Sequence, residues 1–395
     1  KDMPHICLFF QVHQPRRLRR YTIFDIDRHH DYDNGRLNTQ VLRKVSEKCY
    51  LPANQLLLDL LRRYEGDFRV SFSLTGTLID QLEIQEREVL ESFQRLNETG
   101  YVEWLNETYD HSLASLYSPG EFREQVYRHR AKIEALFGQK AVTFCNTEMI
   151  YDNAIAQAAG EMGYQVMLTE GADQVLAGRN PRVAWRAVSR PDLTVLLRDY
   201  RLSDDISFRF SATDWFEYPL TAKKYARWLN QHGGSAEVIN LFMDYETFGE
   251  HQWLETGIFD FLRELPAEIL KCPDLGFRTP SQIIPEPSSV AMLDVEETIS
   301  WADSERDLTA WTGNGMQRDA LQSLYQMEER VKKSGDEDVL KTWRMLQTSD
   351  HFYYMCTKWF ADGDVHTYFN PWESPYDAYI SYMNILDDFD RNLPK

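Results

Sequence analysis

Through about the first 280 residues, short apolar runs alternate with amphipathic segments of helical period, and this alternation leaves few folds open. Seven runs read as strands: Ile6–Val12, Arg69–Leu74, Val102–Leu105, Val142–Cys145, Val166–Leu168, Thr194–Leu197 and Val238–Met243. Strands joined by helices pair in parallel, because a parallel crossover needs a connection about as long as a helix. Between the runs, Asn54–Tyr64 puts Leu56, Leu57, Leu60 and Leu61 on one face. Ser118-Pro119 opens a helix over Gly120–Phe137, with Pro at an early helical position, and Gly257–Leu265 follows the last run. A closed parallel barrel most often has eight strands. Seven are legible here, and an eighth is not forced onto the chain.

Near Thr279-Pro280-Ser281 the pattern changes, and no convincing buried strand follows. Gln317–Lys333 carries Leu321, Leu324, Tyr325 and Met327 at mostly helical spacing. Asp338–Trp359 repeats this with Val339, Leu340, Trp343 and Leu346, after a turn at Ser334-Gly335-Asp336. Ser374-Pro375 caps a last helix, with Asp377 in its first turn. The expected organisation is an α/β barrel over 1–285 and a helical bundle over 286–395 that contributes to the cleft.

Composition excludes some partners. A formal charge of −19 argues against nucleic acid and anionic membranes, whose phosphates are held by Lys and Arg. It does not oppose a neutral ligand, and 21 Tyr, 21 Phe and 10 Trp leave aromatics available for a cleft. The scattered cysteines Cys7, Cys49, Cys145, Cys272 and Cys356 match neither a disulfide framework nor a structural zinc site. They read as free thiols of a cytoplasmic protein. No apolar run reaches membrane-spanning length and no signal-peptide pattern is visible. The oligomeric state is not legible.

Chemistry gathers at the carboxyl ends of the runs. Leu241-Phe242-Met243-Asp244-Tyr245-Glu246 is an apolar strand that ends in acid. Alternation points Asp244 and Glu246 one way and Tyr245 the other. Val142-Thr143-Phe144-Cys145-Asn146-Thr147-Glu148 ends the same way. Gln11 and His13 end the first run, Glu107 and His111 follow the third, and Arg198 and Asp199 end the sixth. One such acid is as well explained by an Arg partner or a solvated loop. This many polar strand ends at one barrel mouth suggest a site, and two separated acids suggest a two-carboxylate mechanism. The cluster Asp25, Asp27, His29, His30, Asp31 and Asp33 has no ligand spacing and reads as a solvated loop. GxxxxGK[ST], GxGxxG and GxSxG patterns are missing, so nucleotide binding and serine hydrolysis lack support. Trp343, Tyr353 and Tyr354 read as bundle core. Trp215 and Trp311 lie among polar residues, where sugar stacking and core packing are equally open.

These segments, in this order, resemble glycoside hydrolase family 57, in its α-amylase-like branch. Gln11-Val12-His13-Gln14-Pro15 is similar to the family's first conserved region. Gly100-Tyr101-Val102-Glu103-Trp104, running on to Glu107 and His111, is similar to the second. Asn146-Thr147-Glu148 resembles the third, which implies that Glu148 is the nucleophile. The specific run Asp244-Tyr245-Glu246-Thr247-Phe248-Gly249-Glu250-His251 resembles the fourth and implies that Asp244 is the general acid/base. Trp301-Ala302-Asp303-Ser304-Glu305-Arg306-Asp307, continuing to Trp311, resembles the fifth, with Asp307 the active-site residue expected there. Many members carry His-x-His-Gln-Pro, and here the first His is Gln11, an amide that bonds hydroxyls but carries no charge.

The resemblance implies an incomplete (β/α)7 barrel followed by a helical region. It also implies a retaining glycosidase acting on α-1,4-glucans such as starch, glycogen or maltooligosaccharides, without metal or organic cofactor. The expected substrate-binding set is Gln11, His13, Glu107, His111, Trp215, Glu246, His251, Asp307 and Trp311. Glu246 is expected to raise the pKa of Asp244 by like charge, and Phe248 to help by excluding water. A 4-α-glucanotransferase using the same two acids is the near rival. A non-catalytic glucan-binding protein is a rival of another class. A metal-dependent carbohydrate deacetylase on a similar barrel lacks a convincing ligand set.

Overall fold

The computed structural model describes residues 4–283, 291–358 and 370–393. Ten strands run in chain order among them: β1 (His5–Val12), β2 (Val70–Leu74), β3 (Val102–Trp104), β4 (Thr143–Cys145), β5 (Val166–Glu170), β6 (Trp185–Ala187), β7 (Arg190–Arg198), β8 (Val238–Asp244), β9 (Gly276–Phe277) and β10 (Ala291–Leu293). Two five-stranded sheets result, ordered β3-β2-β1-β8 with β9 on β1, and β10-β6-β7-β5-β4. Every pair is parallel except β6 with β7.

The sheets meet along two seams. On one side a parallel bridge joins Asn106 to Phe144, with Asn106 N donating to the Thr143 carbonyl at 3.0 Å and Cys145 N to the Asn106 carbonyl at 2.9 Å. On the other, Asp199 N donates to the Asn240 carbonyl at 2.9 Å, and the Asn240 amide donates to the Leu197 carbonyl at 2.9 Å. The seven parallel strands β1, β2, β3, β4, β5, β7 and β8 thus form the incomplete (β/α)7 barrel, and each overlaps a run expected from sequence.

Strand parity builds the interior. Cys7 and Phe9 of β1 face inward with Leu105, Cys145, Val166, Leu168, Leu196, Val238 and Phe242. The alternate residues Ile6, Leu8, Phe10 and Val12 face outward against helical leucines such as Leu57 and Leu61. The same period carries β1 to Gln11 and β8 to Asp244, which are paired in register at the barrel mouth. Tyr245 takes the opposite face, as expected, and packs with Phe10 and Phe72 at centroid distances of 5.3 and 5.1 Å.

Two departures matter. After residue 285 the chain returns to the sheet, where β10 pairs with β6. Each of these strands has only three residues, too few to stand out as an apolar run. The run expected as Asp338–Trp359 is broken into Glu337–Met345 and Ser349–Tyr353, and Trp359 lies outside the described residues. The break is tied to the barrel: Ser112 bridges Thr348, Ser349 N donates to the His111 carbonyl at 2.8 Å, and Thr348 Oγ1 donates to the Asp110 carbonyl at 3.0 Å. Likewise Gln317–Lys333 is two helices, Gly315–Gln326 and Glu328–Ser334. Leu321, Leu324, Trp343 and Phe352 share one core with Phe144, Met167 and Val195 of the barrel. All five cysteines are free thiols. No helix among the described residues is long and apolar enough to cross a membrane.

Candidate active site

At the carboxyl ends of the strands a cavity is lined by Gln11, His13, His111, Glu148, Asp244, Glu246 and His251. These residues were singled out by sequence, and the barrel brings them together. Trp301, Asp350, Tyr354, Gln14 and Pro15 complete the lining.

Glu148 leaves β4 on an unusual turn. It has φ +55° and Met149 has φ +54°, two successive non-glycine residues in the left-handed region. Such residues cost about 1–3 kcal/mol each and persist where surroundings over-determine them. The carboxylate meets three donors: His111 Nε2 at 3.1 Å and Ser349 Oγ at 3.3 Å on Oε1, and the Trp301 indole N–H at 2.7 Å on Oε2.

His111 stands between carboxylates, with Nδ1 3.3 Å from Glu107 Oε2 and Nε2 3.1 Å from Glu148 Oε1. Burial works to lower its pKa, but the two acids win and hold it well above the ordinary value. Both ring nitrogens face carboxylate oxygens, an arrangement that favours the imidazolium. Glu107 sits behind it, fully buried, and also accepts from Gln11 Nε2 at 2.9 Å and Ser73 Oγ at 2.6 Å. Burial opposes its charge, yet the bonds from His111 and Ser73 keep its pKa below the usual range.

His13 stacks on His111 with ring centroids 4.0 Å apart. Burial and then the neighbouring His111 charge lower its pKa, against the Asp350 carboxylate, and so favour the neutral ring. Nε2 donates to Asp350 Oδ2 at 2.9 Å and Nδ1 accepts from Thr75 Oγ1 at 2.9 Å. His13, His111 and Asp350 bring one ligand atom each within 4.8 Å of one another. They do not fit a cation. The rings are stacked only 27° from parallel, so their in-plane lone pairs do not converge, and both His111 nitrogens already face carboxylates.

Asp244 ends β8 in extended backbone and keeps partial access to the cavity. Its pKa is pushed up to about 7, first by desolvation and then by the Glu148 charge. Glu246 is pushed up to about 8 by burial and then by Asp244, against the hydrogen bond it accepts from the Tyr50 hydroxyl. The first like charge acting on Asp244 is thus Glu148, while Glu246, expected in that part, lies beside Asp244 and is itself raised by it in turn. Phe248 does not wall the site either: it packs edge-on against Phe10 in the outer core. Gly249 closes this turn at φ +106°, where a Cβ would lie 1.9 Å from the Lys48 carbonyl oxygen.

Four expected contacts lie elsewhere. Trp215 packs on the outside of the barrel beside Phe216 and Trp228, in the loop after the helix Tyr200–Ser207. Trp311 is 1 % exposed in the helical core, which leaves no face for a sugar. Asp307 accepts from Thr309 N at 2.8 Å and lines a separate cavity with Asp294 and Glu297. Glu107 reaches the cavity only through Gln11 and His111. Conversely, Ser349 and Asp350 were hidden in a segment that reads as a continuous helix face, and Tyr354 as bundle core. Trp301 lay inside a recognised segment, but its ring carried no local sign of facing an acid.

Comparison with known proteins bears on the family and the fold. Residues 7–296 match the family model for glycosyl hydrolase family 57. A Methanocaldococcus jannaschii protein described as "Putative alpha-amylase" is 44% identical over 402 residues, covering 98% of this chain and 84% of that protein. In fold, the chain is similar to 4-alpha-glucanotransferase from Thermococcus litoralis, with TM-score 0.72, 13% identity, and coverage of 100% of this chain and 60% of that one. It is also similar to the GH57-type branching enzyme of Pyrococcus horikoshii (TM-score 0.70, 14% identity, 98% and 88% covered) and to the alpha-amylase AmyC of Thermotoga maritima (TM-score 0.63, 15% identity, 98% and 93% covered). On the family match and the close relative, the chain belongs to glycosyl hydrolase family 57 and is an α-amylase-like glycoside hydrolase.

Proposed function

We propose that the protein cleaves α-1,4-glucosidic bonds of maltooligosaccharides and longer α-glucans with retention, using Glu148 as nucleophile and Asp244 as general acid/base. The observation that carries this reading is the opposite treatment of the two acids. Glu148 is met by an imidazolium, a hydroxyl and an indole N–H, all of which favour its anion. Asp244 is desolvated beside that anion and keeps its proton up to about pH 7.

In the first step Glu148 attacks the anomeric carbon while Asp244 gives its proton to the departing glycosidic oxygen, leaving a glycosyl-enzyme ester. In the second, the Asp244 carboxylate takes a proton from water as that water displaces Glu148 from the anomeric carbon. Asp244 ends protonated and Glu148 anionic, so the cycle closes. Gln11, Glu246 and His251 offer polar groups to sugar hydroxyls around the cleft, while His13 and His111, whose ring nitrogens are already bonded, orient the acids beside it. Similarity at 44% identity to the protein described as "Putative alpha-amylase" supports hydrolysis over transfer.

The test is incubation with maltoheptaose, with products resolved by length over time beside Glu148→Gln. Shorter chains only, abolished by the substitution, are expected. Longer chains appearing with shorter ones would make the protein a 4-α-glucanotransferase with the same nucleophile. Binding without any product from the parent would make it a glucan-binding protein.

A further inference from the structure

The turn that carries Glu148 is held from outside the barrel. Trp301 N donates to the Glu148 carbonyl at 3.1 Å, and Tyr151 and Ile299 exchange backbone bonds at 3.0 and 2.9 Å. A three-residue segment, Ile299–Trp301, therefore runs antiparallel to Glu148–Tyr151 and spans the two left-handed residues. The same segment sends its indole back to the carboxylate, where the N–H lies 2.7 Å from Oε2. His111 and Ser349 donate to Oε1, so the two oxygens are held from different sides and the plane of the carboxylate is fixed.

The ring has its own support. The Arg198 guanidinium lies 5.7 Å from the Trp301 ring centroid. Arg198 is buried and donates to Glu170 Oε2 at 3.0 Å, to Asp204, and to the Phe242 carbonyl at 2.8 Å. Arg306, on the Trp301 side of the chain, approaches Glu170 at 3.4 Å. A cation against the indole face draws electron density from the ring and strengthens the N–H as a donor. The network thus joins the ends of β5, β7 and β8 to one ring, and the ring to one carboxylate oxygen.

We propose that Trp301 is a positioning residue for the nucleophile: its backbone pins the left-handed turn, and its indole N–H fixes the Oε2 side of Glu148 in the attacking orientation. This rests on Glu148 being the nucleophile. Trp301 acts through Glu148, so losing the N–H disturbs the attack more than the binding of substrate.

The experiment compares Trp301→Phe, which keeps a ring but loses the donor, with the parent and with Glu148→Gln on maltoheptaose. The expected result is a kcat lowered about 10- to 100-fold, with KM changed less than about threefold. The acidic limb of kcat/KM moves to higher pH, because a carboxylate that loses a donor is more easily protonated. A merely structural role would reduce the folded, active fraction without moving that limb. Should Trp301→Phe fold poorly, the indole is replaced at position 301 by its benzothiophene analogue, which removes only the N–H and fills the same volume. Parent kcat and an unmoved acidic limb in a folded variant, with Glu148→Gln inactive, would overturn the proposal and leave the nucleophile in place. Parent activity in Glu148→Gln would remove the nucleophile assignment, and this proposal with it.

Discussion

Glu148 and Asp244 reach the same cleft from different strand ends and meet opposite surroundings. The turn after β4 gathers its donors from far along the chain: His111, Trp301 and Ser349 stand 37, 153 and 201 residues away. The end of β8 is governed by burial and by the Glu148 charge. Converging donors favour an anion; desolvation beside that anion favours a neutral acid. The difference teaches that the surroundings of Glu148 are gathered from donors far along the chain, whereas those of Asp244 come from burial at its strand end and one charge across the cleft. It also shows why the buried Glu170 is a poor rival for either role. Glu170 faces Arg198 at 3.0 Å and Arg306 at 3.4 Å, two arginines that hold its carboxylate against the burial that raises its pKa.

The contrast can be broken most directly at Glu148. Glu148→Gln is expected to lower the rate of maltoheptaose cleavage by roughly 10^4-fold or more, since no other group can form the ester. A loss below about tenfold in initial-rate assays would mean that the two acids are not distinguished as argued. The same substitution removes the charge that raises Asp244, so the titration of Asp244 followed by carboxyl NMR or difference infrared should move down from about 7.

His111→Asn sharpens the contrast from the donor side. Loss of the imidazolium is expected to reduce kcat about 10^2-fold. The His111 charge also lowers the pKa of Asp244, so its removal should shift the basic limb of the pH–rate profile upward. A basic limb that stays in place would separate that limb from Asp244.

Asp350→Asn tests whether the helical region contributes to the cleft. It weakens the bond that orients His13 Nε2, and kcat/KM is expected to fall about tenfold with little change in melting temperature. Unchanged kinetics would leave Asp350 as a structural contact only.

The smallest expected effect is on stability. The folded pKa of Asp244, about 7, lies above the ordinary value of 3.8, so the folded chain binds this proton more tightly than the unfolded chain. Between those values stability falls as pH rises, because the cost of ionising the buried group grows until pH passes the folded value. Asp244→Asn should therefore melt about 2 °C above the parent at pH 8 and almost with it near pH 4. A thermal scan at both pH values checks the sign. The parent's activity should likewise decline above about pH 7 as the general acid loses its proton.

Much of this is legible in the amino-acid sequence. Strand parity alone put Gln11 and Asp244 at the mouth and Tyr245 on the outer face, and register pairs Gln11 with Asp244. Trp215 and Trp311 show the limit. Polar sequence neighbours suggested exposed stacking rings, but a large aromatic ring is buried wherever the packing admits it. Trp311 is enclosed near Tyr353, and Trp215 rests against the outer barrel. Ser349 and Asp350 were missed for the converse reason: the helix breaks before them because the Thr348 hydroxyl and the Ser349 N–H bond backbone carbonyls at 110 and 111.

The sequence by itself determined the barrel, its seven parallel strands, and the acids at their ends, because a period of two and the apolar runs act over a few residues. Only the tertiary structure decided which like charge acts on Asp244, which donors surround Glu148, and which aromatic ring faces the cleft. Protonation depends on burial and on charges within a few ångströms, and those neighbours come from segments hundreds of residues apart, where no local pattern records their meeting.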